Sequence, residues 1–475
     1  MQNKHIFVIL KFSSFFGYAD SIIKELSLNN KVTLCIQENN KINSSNYYID
    51  NKNNLVQENK KLNKKIILAE NTNNLKIIYG VKRNDRWSKY LKFLRESMNY
   101  LSFLIRGDKN TFFLNQSKYV SKKIIYLTKF VYFKFNHILI FNFFKFIHSL
   151  IPSSAEIKNF IKTINPDAVI VIGGNWPTRS SEKLSSEIDF IKASNELDKP
   201  SFLHVISWDN LTARGLYHYT PTKMFVWNED HFNEAIEVHK IPKENLKIIG
   251  APFMDKWFED SSVMSKKEFF LSNGLDINKP LVTYLGSAKN ISTSENKIVE
   301  SIYMELIKHG IQLIVRPHGA NSEQFRDINK EIKIIPSQGQ LPDTKESKEL
   351  MIATIKNSNL TMGINTTAMV DSIILKTPCI SIIKNELNFN QSSTPHFNKV
   401  KNEKIFIEAK SDNEIINEII NFSKKNNSIL FDNMDNFIRK FCRPFGISKS
   451  AGKLAHDEIK ITLKNNNNLK FFKYK

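Results

Sequence analysis

The chain is 475 residues long, 41% apolar and 24% charged, the balance of an ordinary globular protein with material for two cores. No window offers about 20 uncharged apolar residues, which excludes a helix that spans a bilayer. Cys35, Cys379 and Cys442 lie far apart, outside any CxxC or Cys/His zinc spacing, and read as reduced thiols of a cytoplasmic protein. The formal net charge of +21 rests on lysine in a chain also rich in Asn and Ile. Two readings of it stand: a compositional bias, or attraction to phospholipid, nucleotide or nucleic acid.

The opening run Ile6–Leu10 has no small-residue cleavage site behind it and reads as a first strand, not a signal peptide. A helix over Tyr18–Ser27 and a strand over Lys31–Ile36 complete a βαβ opening. Residues 37–64, rich in Asn and Lys, read as a long loop or insertion, with short strands at Ile66–Leu68 and Leu75–Tyr79. In Asn84–Phe103 the residues Trp87, Leu91, Leu94, Met98 and Leu101 recur at the spacing of an amphipathic helix. Segment 118–151 sets Lys129, Lys134 and Lys145 among many Phe and Ile residues. It reads either as a buried or semi-buried helical pair or as a basic, aromatic surface that lies on a membrane. A helix over Ala155–Ile164 leads to the strand Ala168–Ile172, which ends in Gly173-Gly174-Asn175-Trp176. Glycines at a strand tip suit close approach to a ligand or a tight turn. A helix over Glu182–Asn195 follows.

The stretch Phe202–Phe258 holds three short apolar runs that read as strands: Phe202–Ile206, Lys223–Trp227 and Leu246–Ile249. They end in Ser207-Trp208-Asp209-Asn210, Asn228-Glu229-Asp230 and Gly250-Ala251-Pro252, and a helix over His231–His239 joins the last two. Strand, polar tip, helix, strand is the grammar of a parallel α/β sheet, whose ligands bind beyond the carboxyl ends of its strands. After Trp257-Phe258 the text turns polar, and a boundary is placed there. It separates a domain 1–258 from a second domain 259–433, with 434–475 as a helical tail.

The second domain alternates again. Strand Pro280–Leu285 ends in Gly286-Ser287-Ala288, and helix Glu295–His309 leads to strand Ile311–Val315, which ends in Arg316-Pro317-His318. Strand Ile332–Ile335, helix Lys348–Asn357 and strand Leu360–Met362 bring the chain to Gly363-Ile364-Asn365-Thr366-Thr367. Helix Ala368–Leu375 and strand Cys379–Ile383 follow, and a helix over Met434–Leu463 runs into a frayed Lys/Asn-rich end.

Gly363–Thr367 lies between a strand and a helix N-terminus, where free N–H groups and the helix dipole favour an anion. The plain alternative is a Thr N-cap. Arg316 offers a planar fork suited to phosphate, His318 a phosphate donor or proton carrier, and Gly286-Ser287 a further small, donor-rich tip. Thr394-Pro395-His396-Phe397 reads as a ribose or base contact or as a loop. In the first domain Asp209 is the candidate general base, against helix capping, and Glu229 the second carboxylate. GxSxG, Walker A, HExxH and GxGxxG are absent from the sequence, as are DNA-binding signatures.

The stretches SWDNLTARG, VWNEDHFNEAIEVHKIPKENLKIIGAPFMDKWF, IVRPHG, GINTTAMVDSIILKTPCI and FIRKFCRPFGI together resemble a group of bacterial GT-B proteins. That fold is shared by many glycosyltransferases, UDP-N-acetylglucosamine 2-epimerases and CDP-glycerol glycerophosphotransferases. The resemblance covers most of residues 80–455. It implies an α/β architecture of two facing Rossmann-like domains with a last helix that crosses back. It also implies a nucleotide-sugar donor as substrate, with no tightly bound cofactor and no metal. The donor would lie against Gly286, Ser287, Arg316, His318, Gly363, Asn365, Thr366 and Thr367. The acceptor would face Trp208, Asn210 and Gly174, with Asp209, Glu229 and His318 as the catalytic candidates. Retaining relatives often keep a carboxylate in the loop after Ile383; Glu386 is the nearest acid here, and the stereochemistry stays open.

The leading expectation is a sugar transferase acting on a surface-polysaccharide or lipid-linked glycan acceptor at the inner membrane face. The alternatives are an isomerase of the 2-epimerase type, a polyol-phosphate transferase of the CDP-glycerol type, and a non-enzymatic basic scaffold or nucleic-acid binder. Nucleic acid is the least expected partner.

Overall fold

A computed structural model describes residues 3–12, 15–38, 48–49, 55–56, 74–130, 134–176, 184–259, 264–289, 291–340, 342 and 345–473. The strand read at Ile66–Leu68 and most of the loop read over 37–64 lie outside them. So do residues 182–183 of the helix read from Glu182 and residues 260–263 of the polar boundary. The chain divides into two compact units: Met1–Lys256 with Phe441–Lys475, and Trp257–Lys440.

The first unit begins with β1 (His5–Phe12), α1 (Phe16–Ser27) and β2 (Lys31–Glu38). A small antiparallel pair, β3 (Tyr48–Ile49) and β4 (Leu55–Val56), precedes β5 (Leu75–Tyr79). A run of helices follows: α2 (Ser88–Arg106), α3 (Thr111–Ser117), α4 (Lys122–Phe130), α5 (Lys134–Leu150) and α6 (Ala155–Ile164). Strands and helices then alternate through β6 (Ala168–Ile172), α7 (Asp189–Glu196), β7 (Ser201–His204), α8 (Asn210–Ala213), β8 (Lys223–Val226), α9 (Glu229–Glu237) and β9 (Leu246–Ile248). Seven of these strands form one parallel sheet in the order β5-β2-β1-β6-β7-β8-β9. The central strands are continuous apolar runs because both faces are covered. Ile6, Val8, Leu10, Ile170 and Ile172 pack with Ala19, Ile22 and Ile23 of α1. Phe7, Ile9, Val169 and Val171 point the other way, onto Ile157 and Ile161 of α6 and Phe190 of α7.

The second unit holds α10 (Lys266–Ser272), β10 (Leu281–Leu285), α11 (Glu295–Leu306), β11 (Gln312–Arg316) and β12 (Lys333–Ile334). It continues with α12 (Lys345–Lys356), β13 (Leu360–Gly363), α13 (Thr367–Ile374), β14 (Cys379–Ile382), α14 (Pro395–Asn402), β15 (Phe406–Ala409), α15 (Asp412–Asn421) and α16 (Ser428–Phe441). Its sheet is also parallel, in the order β12-β11-β10-β13-β14-β15. Residues 394–397 are a helix start and not a loop. Pro395 occupies the first turn of α14, where its missing N–H is harmless, and His396 and Phe397 are buried.

The helix read over Met434–Leu463 is two helices. α16 ends at Phe441, and a separate α17 (Ala451–Lys473) belongs to the first unit. Pro444, which lacks an N–H, and Gly446, at φ +108°, break the run. Asp255 anchors α17. Its Oδ1 accepts from Ala451 N at 3.0 Å, its Oδ2 from Gly452 N at 2.9 Å, and Arg443 Nη2 lies 2.9 Å from Oδ1. The helix packs on α1 so closely that a Cβ on Gly452 would lie 2.5 Å from the Ser21 carbonyl oxygen.

A buried ion cluster ties the helical insertion to the sheet. Asp189 of α7 receives Arg83 Nη1 at 3.0 Å and Arg95 at 2.9 and 3.0 Å, and all three side chains are buried. Burial works against the charged carboxylate, but the two guanidinium groups outweigh it and hold Asp189 below its ordinary range. The same burial and the Arg95 charge push the neighbouring His148 down to about 3, so it stays neutral. Asp189→Ala leaves the buried Arg95 without a carboxylate, while Arg83 keeps Asp85 at 2.9 Å, and should destabilise the first unit by about 3–5 kcal/mol. A denaturant midpoint equal to wild type would show that the cluster adds nothing.

Candidate functional site

In the second sheet the chain leaves β10 for β11 and β12 on one side, then returns to β13 on the other. Connections diverge at that point, the place where a doubly wound sheet offers room for a ligand beyond the carboxyl ends of its strands. Leu285, the last residue of β10, pairs with Arg316 on one flank and Gly363 on the other. Two strand spacings put Arg316 and Gly363 about 10 Å apart. The structure thus brings Gly286, Ser287, Arg316, His318 and Gly363–Thr367 to one edge of one sheet.

Arg316 is 4% exposed. Its Nη2 donates to the Gln340 carbonyl at 3.3 Å, while its buried Nη1 has no hydrogen-bond partner among the described residues. Burial lowers its pKa to about 10, against the opposing pull of Asp371 on α13. An Arg at that value is still a cation at neutral pH. Asp371 is itself held by Trp257 Nε1 at 2.8 Å. Ser287 Oγ is likewise buried; no well-aligned hydrogen bond reaches it among the described residues, but it lies close enough to Glu295 to favour that carboxyl's charged form. Thr366 precedes α13 in extended backbone, and its side chain makes no capping bond. The side-chain N-cap alternative is therefore not realised there; Met369 N donates to the Thr366 carbonyl at 3.1 Å, and the helix N-terminus presents the positive end of its dipole.

His318 is half-buried, and burial lowers its pKa. Its Nδ1 lies 3.1 Å from the Ala320 amide and accepts that N–H. The neutral ring therefore carries its proton on Nε2 and presents a donor. Two of the glycines serve the protein itself. A Cβ on Gly286 would lie 3.1 Å from His318 N and 3.2 Å from Pro317 Cα, and one on Gly363 would lie 3.0 Å from the Leu285 carbonyl oxygen. They let the strand tips crowd together. Asn365 is also occupied, with Nδ2 donating to the Asn390 carbonyl at 2.9 Å.

Sequence reasoning passed over the residues that shape the β10 tip. Glu295 accepts Ser287 N at 3.1 Å through each oxygen and the Tyr284 hydroxyl at 2.8 Å. Asn321 Nδ2 donates to the Ser287 and Ser292 carbonyls at 2.9 and 2.8 Å. A signal for Glu295 was present: it falls four and seven residues before Val299 and Ile302, on the inward stripe of α11.

The first-unit candidates divide differently. Asn210 is a structural lock: its Nδ2 donates to Asn175 Oδ1 at 2.8 Å, and its Oδ1 accepts the Tyr217 hydroxyl at 2.9 Å and Ile206 N at 3.3 Å. It joins the tips of β6 and β7 and is buried, which leaves it no free group for an acceptor. Gly174, at φ +97°, makes the turn beside it, packed on Ile188 and Val171. Trp208 is buried, and its carbonyl accepts from His231 Nε2 at 3.1 Å. Glu229 is exposed in the first turn of α9, where a carboxylate complements the dipole, while Asn228 supplies the cap. Asp209 makes no capping bond. It accepts from Ser207 Oγ and lies 3.8 Å from Arg214 Nη2, partly open to solvent. Glu386 is exposed. No cluster of three or more His, Cys, Asp or Glu side chains fit to hold a metal occurs among the described residues.

No protein-family model matches the chain, and no curated protein does. Solved structures match it end to end. The S. aureus MnaA–UDP structure aligns over 97% of both chains at 10% identity and a TM-score of 0.51. The UDP-GlcNAc 2-epimerase from Neisseria meningitidis, bound to UDP-GlcNAc, aligns over 96% of this chain and 100% of its own, at 11% identity and 0.51. A glycosyltransferase from Rickettsia africae ESF-5 aligns over 98% and 99%, at 9% and 0.50. The two units have the GT-B fold, as the motif resemblance implied.

Burial pushes the Glu295 carboxyl up to about 7, although Tyr284, Ser287 N and Gln324 all favour its charged form. The folded protein therefore holds that proton more tightly than the unfolded chain. The stability it contributes, about 3 kcal/mol, is whole below the unfolded value of about 4.5 and is lost as pH rises to about 7. Glu295→Gln cannot ionise. Its melting temperature should fall less between about pH 5 and about pH 8 than that of wild type, and parallel curves would count against a buried, titrating Glu295.

Proposed function

We propose that the protein is a glycosyltransferase. It grips the diphosphate of a nucleotide-sugar donor at the switch point of the second sheet and passes the sugar to a glycan or lipid-linked acceptor. The observation that carries this reading is Arg316, a buried cation with an unpartnered Nη1. Leaving such a donor unsatisfied costs about 1–3 kcal/mol, which a bound phosphate oxygen would recover. Neutral His318 adds an Nε2–H donor, and the α13 N-terminus adds the positive end of its dipole. Negative charge grows on the diphosphate as its bond to the sugar breaks, so these donors act most strongly in the transition state.

The acceptor hydroxyl forms the new bond to the sugar and gives up its proton. Asp209 is the proposed base. It is a carboxylate at a strand tip that does not cap a helix, with Ser207 Oγ donating to it and Arg214 Nη2 at 3.8 Å. The alternative is isomerisation of the donor without an acceptor, which the epimerase neighbours favour.

A melting screen against UDP-, GDP-, CDP- and CMP-linked sugars identifies the donor class, since a ligand of the folded state raises the melting temperature. Arg316→Met should weaken that ligand about tenfold to a hundredfold by calorimetry, with an apo melting temperature no lower than wild type. Unchanged affinity would remove Arg316 from the site. Asp209→Asn should depress kcat while leaving donor affinity near wild type. Turnover of the donor with no acceptor present would favour the isomerase. Stabilisation by none of the four, with steeply salt-dependent DNA binding, would favour a nucleic-acid protein.

A further inference from the structure

We infer that the outer face of the α4–α5 insertion docks the protein on an anionic phospholipid surface. The inference stands apart from the donor site and does not depend on it. α5 carries apolar residues on two faces, separated by a polar sector that holds Asn142, Lys145 and Ser149. Its inner face, Phe141, Phe144 and Ile147, packs with Leu91, Leu94 and Met98 of α2. An apolar helix face is ordinarily covered. Here the outer face is bare. Phe135, Leu139, Phe143, Phe146 and Leu150 follow one another at three- and four-residue steps, and all are exposed, Phe135 at 67% and Phe146 at 62%. α4 adds exposed Tyr126 and Leu127, with Phe130 at 91%, and α2 adds Tyr90 and Phe93, the latter in ring contact with Phe144 at 5.9 Å. Monomeric surfaces rarely carry so long an apolar patch without an occupant.

Charge identifies the occupant. No Asp or Glu occurs between Asp108 and Glu156, whereas Lys122, Lys123, Lys129 and Lys145 are exposed around the aromatic rows. Phe and Leu on one stripe with lysine beside it is the chemistry of a helix lying in the headgroup region: apolar side chains enter the acyl boundary and ammonium groups meet lipid phosphates. A second copy of the chain fits poorly. A two-fold interface sets the same patch against itself and would bring lysines onto lysines. Spanning the bilayer also fits poorly. α5 measures about 26 Å, short of a full crossing. It meets α6 at a bend of 55°, and Ile157 and Ile161 of α6 are buried in the core of the first sheet.

The test is co-sedimentation of the full chain with phosphatidylcholine vesicles, with and without roughly one third phosphatidylglycerol. Wild type should pellet with the anionic vesicles, and more weakly as salt is raised. Phe135→Ser, Phe143→Ser and Phe146→Ser together should cut that binding about tenfold or more, with the melting temperature kept because the rings are exposed. Lys122→Glu with Lys129→Glu, which touch no core contact, should weaken anionic binding and abolish the preference over neutral vesicles. Wild type left in the supernatant overturns the inference. So does binding unchanged by either set, or a concentration-dependent dimer that the Phe substitutions dissolve.

Discussion

A parallel sheet puts every strand's carboxyl end on one edge, and a sheet wound in both directions must part its loops where the winding reverses. In the second unit that constraint falls between β10 and β13. The groups gathered there are few and specific: one guanidinium, one imidazole N–H and the positive end of the α13 dipole. Main-chain ladder bonds end at Leu285 and Gly363, so nothing within the sheet supplies these donors with acceptors. Phosphate oxygens would.

The two sheets share a construction but treat their strand tips differently. In the first unit the tips of β6 and β7 are laced together by Asn175 and Asn210, whose amide groups bond to one another and to carbonyls at Asn210 and Gly215. That tip is satisfied internally and rigid. In the second unit Glu295 and Asn321 brace the backbone of Ser287, while the buried Arg316 keeps Nη1 without a partner among the described residues. A braced strand tip beside an unspent donor is what preorganised binding requires, because little remains to be ordered when a ligand arrives. The cost appears as lowered stability at the site: a buried Arg pushed down to about 10 and a buried carboxyl pushed up to about 7.

The sheets were the most legible part. β5, β6 and α6 fall where the pattern put them, and most other strand ends shift by one or two residues, because apolar runs bounded by Gly, Pro or polar clusters leave few alternatives. The donor edge was legible for the same reason: the polar residues follow immediately on those runs. What stayed hidden depends on partners distant in sequence. Asn210 looks like a ligand residue until Asn175 and Tyr217 are seen to consume it. The break at 442–450 was missed because Pro444 and Gly446 were outweighed by apolar spacing on either side. Glu295 was read as an ordinary helix start, although its place on the apolar stripe marked it.

The helical insertion is where local rules and observed packing disagree most. Segment 118–151 admitted two readings, a buried or semi-buried helical pair or a basic aromatic surface on a membrane, and the structure shows a semi-buried pair. α5 buries one face on α2 and leaves the other bare. Such a helix gains nothing for the folded chain from its outer phenylalanines, which cost solubility and invite aggregation. A sequence consistent with its own fold would place polar residues there, as it does with Asn413, Glu414 and Asn417 on the outer face of α15. The violation lies on a continuous stripe, keeps helical spacing, and is ringed by one sign of charge. Chance exposure has no reason to do all three, whereas a surface that must meet lipid tails and lipid phosphates together requires each of them.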